Sequence, residues 1–482
     1  MTLINKISLF MGAMCLAALF ALFNFMGLEF LGLFPIVLVF IYMAIFEIEK
    51  FFLSIAFLTP LSINIEEYTD GLGLFLPTEP LLFGLMILFL FLQIKSPFLD
   101  VRIWRNPIVI CVLIYLFWLV ITSITSTDPL VSFKYLLSKL WFILPLLIFG
   151  TYFFRKHENR VVFLWVFIIS CCLVVCFTLI HHSMYDFGEE EGHWVMWPFF
   201  KDHTIYGATI ALCLPISLAL LKQKGSPPLS KAILILLNGI LFIGLIFSYT
   251  RAAWLSVLCA SIIGLLIYFR VNFRIVVGLG LAFCLVIYSQ WDNVQLALSM
   301  NKHEHTTEAF EEKIQSAANV TTDASNLERI NRWDCAYQMF LNKPLLGYGP
   351  GTYAFEYAPF QDPENLTIIS TNFGDMGNAH SEYLGTLSET GLIGLLVFLS
   401  IVVSIFICAI RLYYQIPNEE NDTKLLIMGI IISLSTYFIH AFLNNYLDTD
   451  KAAVPVWAMC AMIIAMGISN KSHISGQSIK KD

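Results

Sequence analysis

Charge is scarce in this sequence. Asp, Glu, Lys and Arg make up 13% of the residues, against roughly 25% in an ordinary soluble domain. A water-exposed globular surface cannot be built from that supply, which excludes a soluble fold. Cysteine is almost missing outside the apolar stretches: of 11 cysteines, only Cys335 lies in the long hydrophilic segment near the centre of the chain. One thiol cannot form an external disulfide framework, and the others read as small apolar filler. No repeat of fixed period is evident. The first apolar segment lacks a small-residue cleavage site and reads as a retained anchor.

The chain is instead rich in apolar residues, 58% of 482, including 42 Phe. Uncharged stretches recur, each near the roughly 20 residues that a helix needs to cross about 30 Å of hydrocarbon. Runs of that kind exclude a transmembrane barrel. The pattern predicts helices near 7–25, 29–46, 51–65, 79–94, 107–125, 135–154, 161–181, 204–221, 232–249, 252–269, 275–290, 391–410, 425–445 and 453–469. The expected fold class is an all-α integral membrane protein, a polytopic bundle of about 12–14 transmembrane helices with one large loop domain. The 51–65 segment is short and contains Pro60, so a re-entrant path is the alternative to a span.

Basic residues set the orientation. Lys95, Arg102, Arg105, Arg155, Lys156, Arg160, Lys222, Lys224, Lys231, Arg270 and Arg274 fall on one side of this alternating arrangement, as does the tail with Lys480 and Lys481. The positive-inside rule makes that side cytoplasmic. The acidic stretches "SINIEEYTDG" and "YDFGEEEGHW" and the segment 291–380 lie on the other. An acidic outer surface argues against nucleic acid as a partner. Three regions follow: an N-terminal transmembrane block, 1–290; a large loop with helices on the outer side, 291–380, which would be periplasmic in a bacterial envelope protein; and closing transmembrane helices with a short cytoplasmic tail, 381–482.

Within the loop, Ser325 and Glu328 form a capping-box signature, so a helix should begin there. Ile330, Trp333, Tyr337 and Phe340 recur at spacings of three and four, predicting one buried stripe. Pro344 and the glycines of "GYGPG" end the helix. That glycine run reads as a helix stop, with an anion-holding backbone nest as the alternative. Arg329 and Arg332 share one side of the first turns. Arg251 is the lone charge between two apolar segments, at their outer end. It reads either as an interfacial snorkelling arginine or, because a guanidinium fork pairs with phosphate oxygens, as part of a diphosphate clamp with Arg329 and Arg332.

His380, in "GNAHSEYLG", lies where the loop re-enters an apolar run. Its ordinary pKa, about 6.5, suits it to accept a proton near neutrality, with a structural interfacial histidine as the alternative. Glu382 and Glu389 stand ready to orient it or to favour the helix start. Asp202 and His203 open a helix, with Asp202 as its N-cap. Lys201 and Lys451 are further outer-face cations and read as solvated, while "LDTD", with Asp448 and Asp450, reads as a solvated loop or a metal-binding carboxylate pair.

The helix start "TRAAW", the R-x-x-x-W helix leading into "PLLGYGPGTY", and "AHSEYLGTLSETGLIG", in that order, resemble the O-antigen ligase and polymerase superfamily of bacterial envelope glycosyltransferases. The motifs cover roughly residues 200–400. The resemblance implies a GT-C-like helical enzyme of the inner membrane with its active site facing the periplasm. It implies no cofactor and no metal, an undecaprenyl diphosphate-linked glycan donor, and a hydroxyl acceptor such as lipid A core. By motif match, Arg251 and Arg329 would be the family's arginines and His380 its histidine; Arg332 has no counterpart. Here His380 is followed by Ser381 where the family often has Asn, and Thr250 precedes Arg251 where it often has Ser or Gly. O-antigen ligase is the expected activity, inverting at the anomeric carbon, with repeat polymerase and protein O-oligosaccharyltransferase as alternatives. A lipid-linked glycan flippase, with His440 as its ionisable residue inside the membrane, is the rival from another class.

Overall fold

The computed structural model describes residues 34–66, 73–224, 227–272, 324–363 and 377–478, with isolated positions elsewhere. The chain forms two compact units, Met1–Ala56 and Phe57–Asp482. The first holds helix α1 (Phe34–Phe46), and α2 (Ile48–Leu61) runs across the boundary. The protein is an all-α polytopic membrane protein. Ten helices among the described residues are long and apolar enough to span a bilayer. The predicted segments 7–25 and 275–290 lie outside the continuously described residues.

In the second unit, α3 (Thr78–Lys95), the short α4 (Val101–Trp104), α5 (Pro107–Ile124) and α6 (Pro129–Ile143) come first. The α6 path continues through a π turn, Leu144–Phe149, as one span to Phe153. Then follow α7 (His157–Ser183), α8 (His203–Leu221), α9 (Pro228–Ile246) and α10 (Arg251–Tyr268). The loop contributes α11 (Ala324–Asn342) and the single turn α12 (Tyr353–Glu356). The chain closes with α13 (Glu382–Gln415), α14 (Asn421–His440) and α15 (Asp450–Ser478). The span starts follow local capping chemistry: Asp128 and Asp202 each accept two backbone N–H bonds at the starts of α6 and α8, and Asn106 accepts one at α5.

Lipid offers helices no hydrophobic drive to associate, so close approach depends on small residues. Helix α8 packs against α9, α10 and α14. A Cβ on Gly429 would come within 2.6 Å of Ala219, and one on Gly207 within 2.7 Å of Thr250. Ser433 donates to the Leu212 carbonyl at 2.6 Å, tying α14 to α8.

Two expected boundaries are corrected. The helix expected over 51–65 runs instead over Ile48–Leu61, 14 residues ending after Pro60, and Ile63–Asn64 pairs antiparallel with Phe75–Leu76. The helix expected from 391 begins nine residues earlier, at Glu382, and Gly391 is a kink within it, with φ +70°. The sequence shows hydrophobicity rising at the kink, whereas the helix starts at the Ser381 cap.

Candidate active site

Loop helix α11 packs on α13. Its buried face is not the expected aromatic stripe. Cys335, Ala336 and Met339 join Tyr348, Tyr353, Tyr357 and Ala379 in one buried cluster, while Tyr337 is 48% exposed. Within this cluster the rings of Tyr353 and Tyr357 stack, with their centres 5.3 Å apart. Trp333 instead reaches across, donating its indole N–H to the His380 carbonyl at 3.3 Å.

The glycine run fixes where this helix ends. Tyr348 N–H donates to the Ser388 carbonyl and Gly349 N–H to that of Glu389, at 3.1 and 2.8 Å. Tyr353 N–H donates to the Glu389 carboxylate at 3.1 Å. Gly347 and Gly391 both have positive φ, and a Cβ on either would strike backbone at 2.3 or 2.2 Å. "GYGPG" is therefore a dock onto the α13 kink. Its N–H groups at 348 and 349 are used by α13, so the anion-nest alternative loses those donors.

Arg332 is 3% exposed. Its Nε donates to Glu328 at 2.7 Å, and the guanidinium lies 4.1 Å from the centre of the Tyr357 ring. Glu328, expected to cap the helix start, holds Arg332 one turn on. Arg329 is half-buried on the same helix, and its charge acts on His380, His440 and Tyr446.

His380 adopts φ +46°, a left-handed conformation uncommon for a non-glycine residue. Its N–H donates to Asn378 Oδ1 at 2.9 Å, and Ser381 caps α13 immediately afterwards. The turn presents the half-buried imidazole to Arg329 and Arg332 on one side and to the Asn444 amide, with which it hydrogen-bonds, on the other. Burial, then the Arg329 and Arg332 charges, pull the His380 pKa down from 6.5 to about 4. The ring is neutral at pH 7, the form a general base requires.

Arg251 opens α10, directly after Tyr249, which has φ +48°, and Thr250, which donates to the His203 carbonyl at 2.7 Å. The backbone of Ala252, its neighbour, meets the His440 ring. His440 contacts Asn444, its Nε2 lying 3.0 Å from Asn444 Nδ2. The first turn of α10, the end of α14, the 441–449 turn and the loop helix therefore meet around the two imidazoles. Asp202 caps α8, and its charge also acts on His440. His203 stacks on His193 at 4.2 Å. Asp202 and His203 thus frame the site from α8.

Other sequence candidates find different partners. Glu382, 7% exposed, accepts from Tyr437 at 2.9 Å and from Leu447 N–H at 2.7 Å, locking the 441–449 turn to the α13 start. Lys451 is not solvated but 1% exposed. It donates to the carbonyls of Thr59 and Ser62 at 2.6 and 2.8 Å and to Ser62 Oγ at 2.6 Å, satisfying the broken end of α2. Asp450 is likewise buried and accepts from Ser62. Asp448 instead lines a cavity of about 210 Å³ together with Tyr135, Tyr353, Glu382, Glu389 and Asn445. Burial raises the Asp448 pKa, and Lys139 opposes the rise. Among the described residues, no group of three or more His, Cys, Asp or Glu side chains is arranged to hold a metal ion.

Sequence reasoning missed Lys139 and Asn444. Lys139 is 3% exposed inside α6, and its charge acts on Glu382, Glu389 and Asp448. A lysine within an apolar run was the available signal. Asn444 carried none, because an Asn-Asn pair after an apolar helix reads as a simple helix stop.

The fold and site define a polytopic membrane protein in which a helix that is not one of the apolar spans brings arginines beside a histidine. Residues 236–399 match the family model described as O-antigen ligase, a stretch that takes in Arg251, Arg329, Arg332 and His380. The similarity to that family lies in this stretch of the chain. It is also similar to a ComP-specific O-oligosaccharyltransferase of Acinetobacter baylyi (strain ATCC 33305 / BD413 / ADP1), 23% identical over 277 residues. That alignment covers 57% of this chain and 45% of the relative's length.

Proposed function

We propose that this protein is a membrane glycosyltransferase that moves a glycan from undecaprenyl diphosphate to an acceptor hydroxyl at the periplasmic face of the bacterial inner membrane, with lipid A core as acceptor. The observation that carries the reading is the placement of Arg329 and the neutral His380 together, within the region that matches the family.

In this reading, Arg251 and Arg329 hold the donor's diphosphate. Arg332, engaged by Glu328 and Tyr357, fixes the helix that presents Arg329. The acceptor lies toward the cavity, where Asp448 and the Asn445 Oδ1, a buried atom without a hydrogen-bond partner, offer acceptors to its hydroxyls. The free ring nitrogen of His380 takes the proton of the attacking hydroxyl as its oxygen bonds to the anomeric carbon. The carbon–oxygen bond to the diphosphate breaks, and its electron pair leaves on the phosphate oxygen, where the two guanidiniums stabilise the charge. Attack opposite the leaving group inverts the anomeric configuration. No step in this scheme calls for a metal.

A second acceptor class, a Ser or Thr of a protein, is favoured by the similarity to the Acinetobacter oligosaccharyltransferase. The test is an assay of purified protein with a lipid-linked glycan and each acceptor in turn. Inverted product on lipid A core supports the first reading, and product on protein only supports the second. Glycan crossing a proteoliposome membrane without covalent transfer would replace both with a flippase.

A further inference from the structure

The two imidazoles of the site are joined by one side chain that the scheme above does not use. Asn444, 3% exposed, stands between His440, 1% exposed, and His380. An amide nitrogen only donates, so the 3.0 Å contact from Asn444 Nδ2 makes His440 Nε2 the acceptor. That contact sets which way the Asn444 amide points, leaving its carbonyl oxygen to accept from a His380 ring N–H. A neutral imidazole with one nitrogen protonated and bonded has its lone pair on the other. His440 is itself held by the α14 end and faces Arg329, Asp202 and the Ala252 backbone.

We propose that Asn444 and His440 are positioning residues that hold His380 in the tautomer and orientation whose free nitrogen receives the acceptor's proton. This rests on the reading of His380 as base. The logic matches that of hydrolase triads, where a third group fixes the tautomer of the catalytic histidine. Here the third group is a neutral amide in place of a carboxylate. The charged groups facing His380 are Arg329, Arg332 and Glu328, all from the loop helix. A carboxylate at 444 would oppose the two guanidiniums and favour the protonated ring; the amide orients it without that cost.

The experiment measures kcat and donor KM across pH for full-length protein with a lipid-linked glycan donor, comparing His440→Leu, His440→Gln, Asn444→Leu, Asn444→Asp and His380→Ala. His440→Leu and Asn444→Leu should lower kcat roughly 10- to 100-fold, with donor KM within about twofold. Gln supplies an amide oxygen that can take the Asn444 bond, so His440→Gln should recover most of that loss. Asn444→Asp should keep measurable activity and move the acid limb of kcat/KM upward by about a pH unit or more. Wild-type kcat in both leucine variants, or a Gln variant no better than Leu together with an unmoved profile in Asn444→Asp, overturns the proposal. If a leucine variant does not purify as a monodisperse protein, the Gln recovery and the Asp profile decide. Activity retained in His380→Ala would instead remove the base reading itself, so the two failures are distinguishable.

Discussion

Arg332 Nε donates to the Glu328 carboxylate at 2.7 Å, one helical turn away, with both side chains less than a tenth exposed. A buried pair of this kind costs more to break than it gained on forming, because the remaining charge is stranded. Arg332→Met should therefore destabilise the protein, by on the order of 3 kcal/mol. Thermal unfolding in detergent checks this. Binding of a carrier diphosphate analogue, measured on the folded protein, should change little. A loss of binding without loss of stability would return Arg332 to the diphosphate clamp.

Arg329 should behave differently. Its charge lowers the His380 pKa and, in the proposed scheme, binds the donor. Arg329→Gln should raise donor KM at least tenfold, the scale of one lost charge-assisted contact. It should also move the acid limb of kcat/KM up toward the ordinary histidine range. A KM effect with an unmoved limb would separate donor binding from the histidine.

The pH profile of the unaltered protein carries its own sign. His380 accepts a proton only when neutral, and it is neutral above its pKa. With burial and the two arginines holding that pKa at about 4, activity should persist well below pH 6.5 and fall only as pH approaches 4. A bound diphosphate offsets the guanidinium charge, so the limb in kcat should lie at higher pH than the limb in kcat/KM. Coincident limbs near 6.5 would contradict this electrostatic account.

Lys451→Met removes the donor that satisfies the Thr59 and Ser62 carbonyls and leaves them buried. The expected loss is about 3 kcal/mol, read as a lower unfolding temperature. Unchanged stability would mean that water takes over the lysine's place.

Much of the fold was legible in the sequence because bilayer thickness dictates helix length. Residues 79–94, 107–125, 204–221 and 252–269 were expected, and Thr78–Lys95, Pro107–Ile124, His203–Leu221 and Arg251–Tyr268 are found. The failures share one cause: tertiary partners outranked local pattern. Hydrophobicity placed the α13 start at Gly391, but the glycine is a kink docked under Leu345, and the polar turn ahead of it is helical because it packs against α11 and the 441–449 turn. Charge placed Lys451 in water, but the end of α2 needed a donor. In the site, arginine and histidine were conspicuous because such residues are rare in this chain. Asn444 was not, since its place between two rings separated by 60 residues of sequence exists only in the folded chain.

In the proposed reaction, the Arg329 guanidinium and the His380 imidazole serve one centre. The most direct measurement is glycan transfer and carrier diphosphate binding by purified His380→Gln. Transfer should fall by roughly a hundredfold or more, with carrier affinity nearly unchanged. Transfer at the rate of the unaltered protein would contradict it.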